Sequence, residues 1–221
     1  MNRVVSAELL DTDDGSPSEI AASLQDLEFL NWAFGGEATT LSLLRQVAAK
    51  AGRSSLRLLE IGAGLGTVPI SARKVLAASG IQLDVTLLDR VPVHLNRNER
   101  CIVGDALALP FRGASFDVVS CCLFAHHLEP DEILTCVNEA LRVSKVAVLI
   151  NDLVRHRLHF ALACAARAIY RSRITCHDAP ASVRRAYTVN EMRRMLAETR
   201  ATRVEVQQRY FYRMGAIAWK H

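Results

Sequence analysis

Lysine is almost missing from this chain: 4 of 221 residues, against 23 arginines. No two cysteines stand at C-x-x-C spacing, and no His-x₃₋₅-His pair accompanies Cys101, Cys121, Cys122, Cys136, Cys164 and Cys176. Zinc-ribbon and zinc-finger classes are therefore excluded. Cysteines in apolar runs such as 120–123 read as small buried hydrophobes, and reduced thiols of this kind lead us to expect a cytoplasmic protein. Long apolar runs are missing as well. The longest, 160–166 and 146–150, fall far short of the roughly 18–20 residues of a bilayer span, and residues 1–5 contain no secretory h-region. With 50% apolar and 23% charged residues, disordered and low-complexity classes do not fit. The length suits one domain with a small appendage.

The net charge of +4 conceals an asymmetry. Residues 1–150 carry 13 basic and 18 acidic side chains, residues 151–221 carry 14 and 5, and Lys220 is the one lysine in the latter set. Such an excess suggests nucleic acid. Yet Arg155, Arg157, Arg171, Arg173, Arg184, Arg185, Arg193 and Arg194 are spread over two expected helices and a loop, with no interleaved aromatics for base stacking. They suit an acidic acceptor, an anionic membrane surface or a carrier protein, and no nucleic acid is expected.

Periodicity gives the layout. Residues 11–18 read as a polar, mobile lead-in. Residues 19–34 place Ile20, Leu24, Leu27, Leu30 and Phe34 at helical spacing, and Thr39 or Thr40 caps a second expected helix through Lys50. Expected strands at 56–61, 84–89, 101–104, 116–123 and 146–151 alternate with helices at 67–79 and 130–143. Between the second and third strands, 96–99 reads as a turn, leaving room for only a very short helix. A long helix over 153–170, with 160–169 as its core face, precedes a loop, a helix at 189–198 and a closing pair of strands at 204–210 and 214–220. This alternation means a mostly parallel sheet of the α/β class.

The loop between the first expected strand and the next helix reads Glu60-Ile61-Gly62-Ala63-Gly64-Leu65-Gly66. Its G-x-G-x-G spacing departs from the dinucleotide fingerprint, which would place its last glycine at Thr67. No Gly-Lys-Ser/Thr follows, so it is no P-loop. Asp89 closes the second strand and Asp105 follows the third, so acids recur at strand carboxyl ends, where open α/β sheets bind ligands.

An acid followed by G-x-G-x-G resembles the first motif of the class I S-adenosylmethionine (SAM) dependent methyltransferases, and the resemblance covers about 56–152. Residues 104–111 and 116–119 look like that family's third and fourth motifs. The resemblance implies a Rossmann-like, seven-stranded, mostly parallel sheet flanked by helices, with the last strand antiparallel. An N-terminal helical cap over 1–52 would cover a methyltransferase domain over 53–221. It implies SAM as cofactor, held by Glu60, Gly62, Ala63, Gly64, Gly66, Asp89, Arg90, Asp105, Ala106 and Cys122. Asp89 would grip the ribose hydroxyls, and Asp105 would accept from the adenine amine against Ala106.

After the fourth strand, the motifs of nucleic-acid amino-methyltransferases and cytosine-5 enzymes are absent, as is the paired-glutamate loop of protein arginine methyltransferases. Phe124-Ala125-His126-His127-Leu128 instead looks like the small-molecule branch, akin to ubiquinone/menaquinone-biosynthesis enzymes. Residues 151–155 and 182–188 look closer to bacterial enzymes found beside polyketide synthases. The expected reaction is methyl transfer to oxygen, or carbon, of a small aromatic, quinone or polyketide-like acceptor. An RNA methyltransferase and a non-catalytic SAM-binding protein are the alternatives. His127, ahead of His126, is the expected catalytic base. Phe34, Asn151, Asp152, His177 and Tyr187 are expected to line the acceptor site under a lid bearing Leu27, Phe29, Leu30 and Trp32, with Gly35-Gly36 as hinge. No metal is expected: Asn151 and Asp152 resemble half of an oxygen-ligand set, but Ser120 and two cysteines stand where the other half belongs. A monomer or homodimer is anticipated.

Overall fold

The computed structural model describes every residue except Asp13 and Arg97, which belong to the expected lead-in and the expected turn at 96–99. Seven strands form one sheet among the described residues: β1 (Ser55–Ile61), β2 (Gln82–Asp89), β3 (Arg100–Val103), β4 (Phe116–Cys122), β5 (Ser144–Leu153), β6 (Arg203–Arg209) and β7 (Arg213–Trp219). Their order is β3-β2-β1-β4-β5-β7-β6. The first five run parallel, and β7 enters antiparallel between β5 and β6. The expected Rossmann-like sheet is thus present, antiparallel last strand included. Chain order reverses between β1 and β4, which opens a crevice beyond their carboxyl ends.

Leu58 and Leu59 of β1 and Val118 and Val119 of β4 are fully buried because helices cover both faces. On one face α4 (Pro130–Val143) sinks Ile133, Cys136, Val137, Ala140 and Leu141 onto Val119 and Val148. On the other, α3 (Thr67–Ala78) contributes Ala72 and Leu76, and α2 (Gly36–Ala51) contributes Leu43, Leu44, Val47 and Ala48 around Leu56, Leu58 and Trp219. The second helix of the expected cap is therefore part of the sheet's own core.

Five local expectations need correction. Thr39 and Thr40 do not cap α2; both are buried inside it, and it begins after Gly35 at φ +75°. A Cβ on Gly36 would lie 2.5 Å from the Asn31 Oδ1, so this glycine permits close packing rather than hinging. Helix α1 (Pro17–Ala33) turns Ser23, Asp26 and Asn31 inward, and Phe29 and Trp32 stand 52% and 69% exposed. Its inner face is polar because its neighbours offer polar groups: Asp26 accepts from the Arg171 and Ser172 backbone N–H groups, and the Thr175 hydroxyl pairs with Ser23.

The other two corrections follow β5. Pairing with β7 extends β5 to Leu153, so the next helix, α5, covers only Arg157–Ala165. Leu158, Leu162 and Ile169 are exposed, and the expected core face at 160–169 is reduced to buried Ala163. The expected loop after it is a helix, α6 (Arg173–Arg185), followed by α7 (Val189–Ala197). Pro180 lies inside α6 and cannot donate to the Cys176 carbonyl; the Arg167 Nε donates to it instead, at 3.2 Å.

Candidate active site

A cleft of about 500 Å³ opens beyond the carboxyl ends of the central strands, within the range of small-molecule sites. Its floor is the loop from β1 to α3. Gly62 and Gly66 have φ of +59° and +66°, and a Cβ would lie 2.3 Å from Phe124 and 2.6 Å from Leu87, respectively. The Gly64 N–H donates to the Asp89 Oδ2 at 2.9 Å, and the Val91 N–H donates to Oδ1 at 2.9 Å. That clamp fixes the carboxylate across the loop. Asp105 accepts from the Leu107 N–H at 2.8 Å. Gly62, Ala63, Gly64, Gly66, Asp89, Arg90, Asp105, Ala106 and Cys122, nine of the ten residues expected to hold a cofactor, all line the cleft.

Glu60 does not line it. The carboxylate is buried beneath the loop, accepting from the Ser120 hydroxyl and the Cys122 N–H. Burial, only partly offset by these two bonds, pushes it up to about 7. Its place is support of the floor. Burial also pushes the Cys122 thiol up to about 12, so this cysteine is a neutral wall.

The two histidines part company. His127 lines the cleft, with Nδ1 3.0 Å from the Asp11 Oδ2. His126 is buried behind it, ring centroids 4.2 Å apart, with Nδ1 2.7 Å from the Asp152 Oδ1. The backbone N–H of His126 donates to the other Asp152 oxygen at 3.0 Å. Burial raises the Asp152 pKa, but the His126 ring and the backbone N–H groups of Leu153 and His126 outweigh it and hold the carboxyl below its ordinary value. Glu8 closes the group: its Oε1 lies 3.8 Å from the His126 Nε2, and burial lifts its carboxyl to about 7.

None of the five expected acceptor residues lines the cleft. Phe34 packs edge-on against Phe211 at 5.6 Å. Asn151 donates to the Gly36 carbonyl and the Thr40 hydroxyl, at 2.7 and 2.8 Å. Asp152 supports His126. His177 lies outside, 2.8 Å from Asp178. Tyr187 is buried and donates to the Leu128 carbonyl at 2.7 Å.

Their place is taken by Leu10, Asp11, Leu24, Leu27, Glu28, Asn31, His94, Leu128, Glu132 and Arg185. The segment ahead of the expected lead-in at 11–18 is docked here, and Asp11 at the start of that lead-in reaches His127. Arg3 donates to the carbonyls of Arg185 and Leu128 and to Glu129. The Leu9 and Leu10 N–H groups donate to Asp178 at 2.9 and 3.0 Å. Arg185 donates to the His127 carbonyl at 2.7 Å. One signal for this was in the sequence: the acids at 8 and 11 precede the first expected helix, and an isolated Asp178 sits among arginines. Of the exposed apolar lid only Leu24 and Leu27 reach the cleft; Phe29 and Trp32 do not.

Residues 59–149 match a family model described as "Methyltransferase domain". No curated protein sequence matches the chain significantly. Among solved structures, the plantazolicin methyltransferase BpumL, solved with a triazolic desmethylPZN analog and SAH, superimposes with a TM-score of 0.70 at 13% identity, over 97% of this chain and 95% of that one. A SAM-dependent methyltransferase from Aquifex aeolicus gives 0.54 at 18%, over 75% and 82%. The CMeT domain of the citrinin polyketide synthase gives 0.55 at 12%, over 75% of this chain; the match spans 46% of that structure.

Proposed function

We propose that this chain, a SAM-dependent methyltransferase of class I by its domain and its fold, methylates an oxygen or carbon of a small aromatic, quinone or polyketide-like acceptor. The observation that carries the reading is the composition of the cleft. The glycine loop, Asp89 and Asp105 line one part of the same 500 Å³ space that His127, Arg185, Leu24 and Leu27 line elsewhere. SAM bound on the loop would place its sulfonium methyl beside β4, next to the His127 turn. Methyl transfer is an in-line displacement, so alignment of acceptor and methyl supplies much of the acceleration. His127, oriented by Asp11, stands where an acceptor hydroxyl would give up its proton. The Leu10, Leu24 and Leu27 side chains give that end apolar surface among Asp11, Glu28, Asn31 and Arg185, room for the apolar body of an acceptor.

The test is a screen of phenols, quinones and alkylresorcinol-like lipids with radiolabelled SAM. Label in an organic-soluble product, with turnover falling by about 10² or more in His127→Ala, supports the reading. SAH binding without turnover of any acceptor would favour a non-catalytic SAM-binding protein. Salt-sensitive retention of RNA with label in the RNA would favour the RNA reading.

A further inference from the structure

We infer that Glu8, His126 and His127 form a binding site for one divalent transition-metal ion at the edge of the cleft. A ligand atom from each lies within 4.8 Å of the other two. Two imidazoles and a carboxylate are a borderline donor set, suited to zinc, cobalt or ferrous iron rather than to magnesium or calcium, which take oxygen ligands.

Three observations carry the site. Glu8 is 6% exposed, and its Oε1 has no hydrogen-bond partner. A carboxylate oxygen left that way is costly to bury, and a cation beside it would remove the cost. That same oxygen faces the His126 Nε2 across 3.8 Å, a gap that two metal–ligand bonds of about 2.1 Å can span. Finally, both rings already have the backing that metal-bound imidazoles use: Nδ1 of His126 is 2.7 Å from Asp152, and Nδ1 of His127 is 3.0 Å from Asp11. A ring whose Nδ1–H is given to a carboxylate offers its Nε2 lone pair. Around the cluster, Glu8, Asp11 and Asp152 outweigh Arg185, whose Nη1 is 3.4 Å from the His127 Nδ1.

The site differs from the oxygen set weighed at the ends of β4 and β5. Asn151 is committed to Gly36 and Thr40, and Asp152 acts behind His126. Its consequence for catalysis rests on the methyl-transfer reading. His127 lines the cleft; an ion on its Nε2 would take up the lone pair that the base role uses. In the loaded protein the ion, in place of the imidazole, would lower the pKa of an acceptor's oxygen, and His127 acts as base only in the metal-free chain.

Metal-stripped full-length chain is titrated with Co(II), followed by visible d–d absorption, and with Zn(II), followed by calorimetry. One equivalent bound, with the spectrum of a four- or five-coordinate site, is expected. Glu8→Gln is expected to weaken Co(II) by about 30-fold with SAH affinity unchanged, while H156A and H159A, outside the cluster, leave Co(II) affinity intact. If Glu8→Gln does not fold, His127→Gln is read in the same way. Absence of Co(II) uptake by the parent chain, or parental affinity in the Glu8 variant, overturns the site. SAH calorimetry on the same samples keeps the two readings apart, because lost SAH binding with retained cobalt refutes methyl transfer and not the metal site.

Discussion

Asp89 and Asp105 face the cleft; Glu60, the acid that opens the loop motif, lies beneath it. Asp89 is already clamped by two backbone N–H groups, so on the proposed cofactor reading its carboxylate would meet an incoming ribose without reorganising. Charge-assisted hydrogen bonds contribute roughly 1.5–3 kcal/mol each. Asp89→Ala is therefore expected to weaken SAH by about 10² or more in calorimetry and to lower the melting temperature as well, because the Gly64 and Val91 N–H groups lose their acceptor. An unchanged dissociation constant would remove Asp89 from the cofactor site. Arginine's predominance over lysine also has its reason at this scale. Arg155 is 8% exposed and reaches the carbonyls of Met1 and Ala186 together with Glu191. One fork of five donors satisfies several fixed acceptors, which a lysine cannot do. Part of the basic excess beyond residue 150 is thus internal fastening.

The strap formed by residues 1–12 and helix α6 act together. Asp178 on α6 holds the Leu9 and Leu10 N–H groups, and this places Asp11 against His127. Asp178→Ala is expected to speed amide hydrogen exchange at Leu9 and Leu10 and to lower kcat by about tenfold, the low end of what a displaced catalytic group costs, with SAH affinity retained. An unaltered kcat would mean the strap does not position His127. This pair of elements also marks where the sequence stopped being readable. The strands, the glycine loop and α4 were legible because each carries a local pattern: period two or a buried run, strand-then-glycine, apolar residues at 3.6. Helix α6 carries Pro180 and has a polar outer face, so it reads as loop; in the fold Arg167 answers the carbonyl that the proline orphans. Helix α1 buries serine, aspartate and asparagine against partners more than 140 residues away. Asn151, Asp152 and Tyr187, expected at the acceptor site, are spent on long-range hydrogen bonds, and the strap that lines the cleft instead has no local signature.

For the molecule as a whole, the sheet is held at its switch point by a buried acid. In the folded chain the Glu60 carboxyl sits at about 7, above its ordinary value of 4.5. Between those values the native state binds the proton and the unfolded chain does not, so stability falls as pH rises through this window and levels off above it. Glu60→Gln is expected to flatten that decline in melting temperature measured by circular dichroism from pH 4.5 to 8. A parallel decline in parent and variant would assign it to other groups.

Trp32 stands 69% exposed on α1, whereas Trp219 is 1% exposed on β7, donating to Glu205 under the ammonium of Lys50. No other tryptophan is in the chain. The intrinsic fluorescence is therefore a two-colour reporter: a red-edge emission quenchable by acrylamide comes from the outer helix, and a protected blue-edge emission comes from the completed sheet. With Trp32→Phe and Trp219→Phe to separate them, a stopped-flow trace can time ligand-driven movement of the outer helix independently of the loss of the sheet.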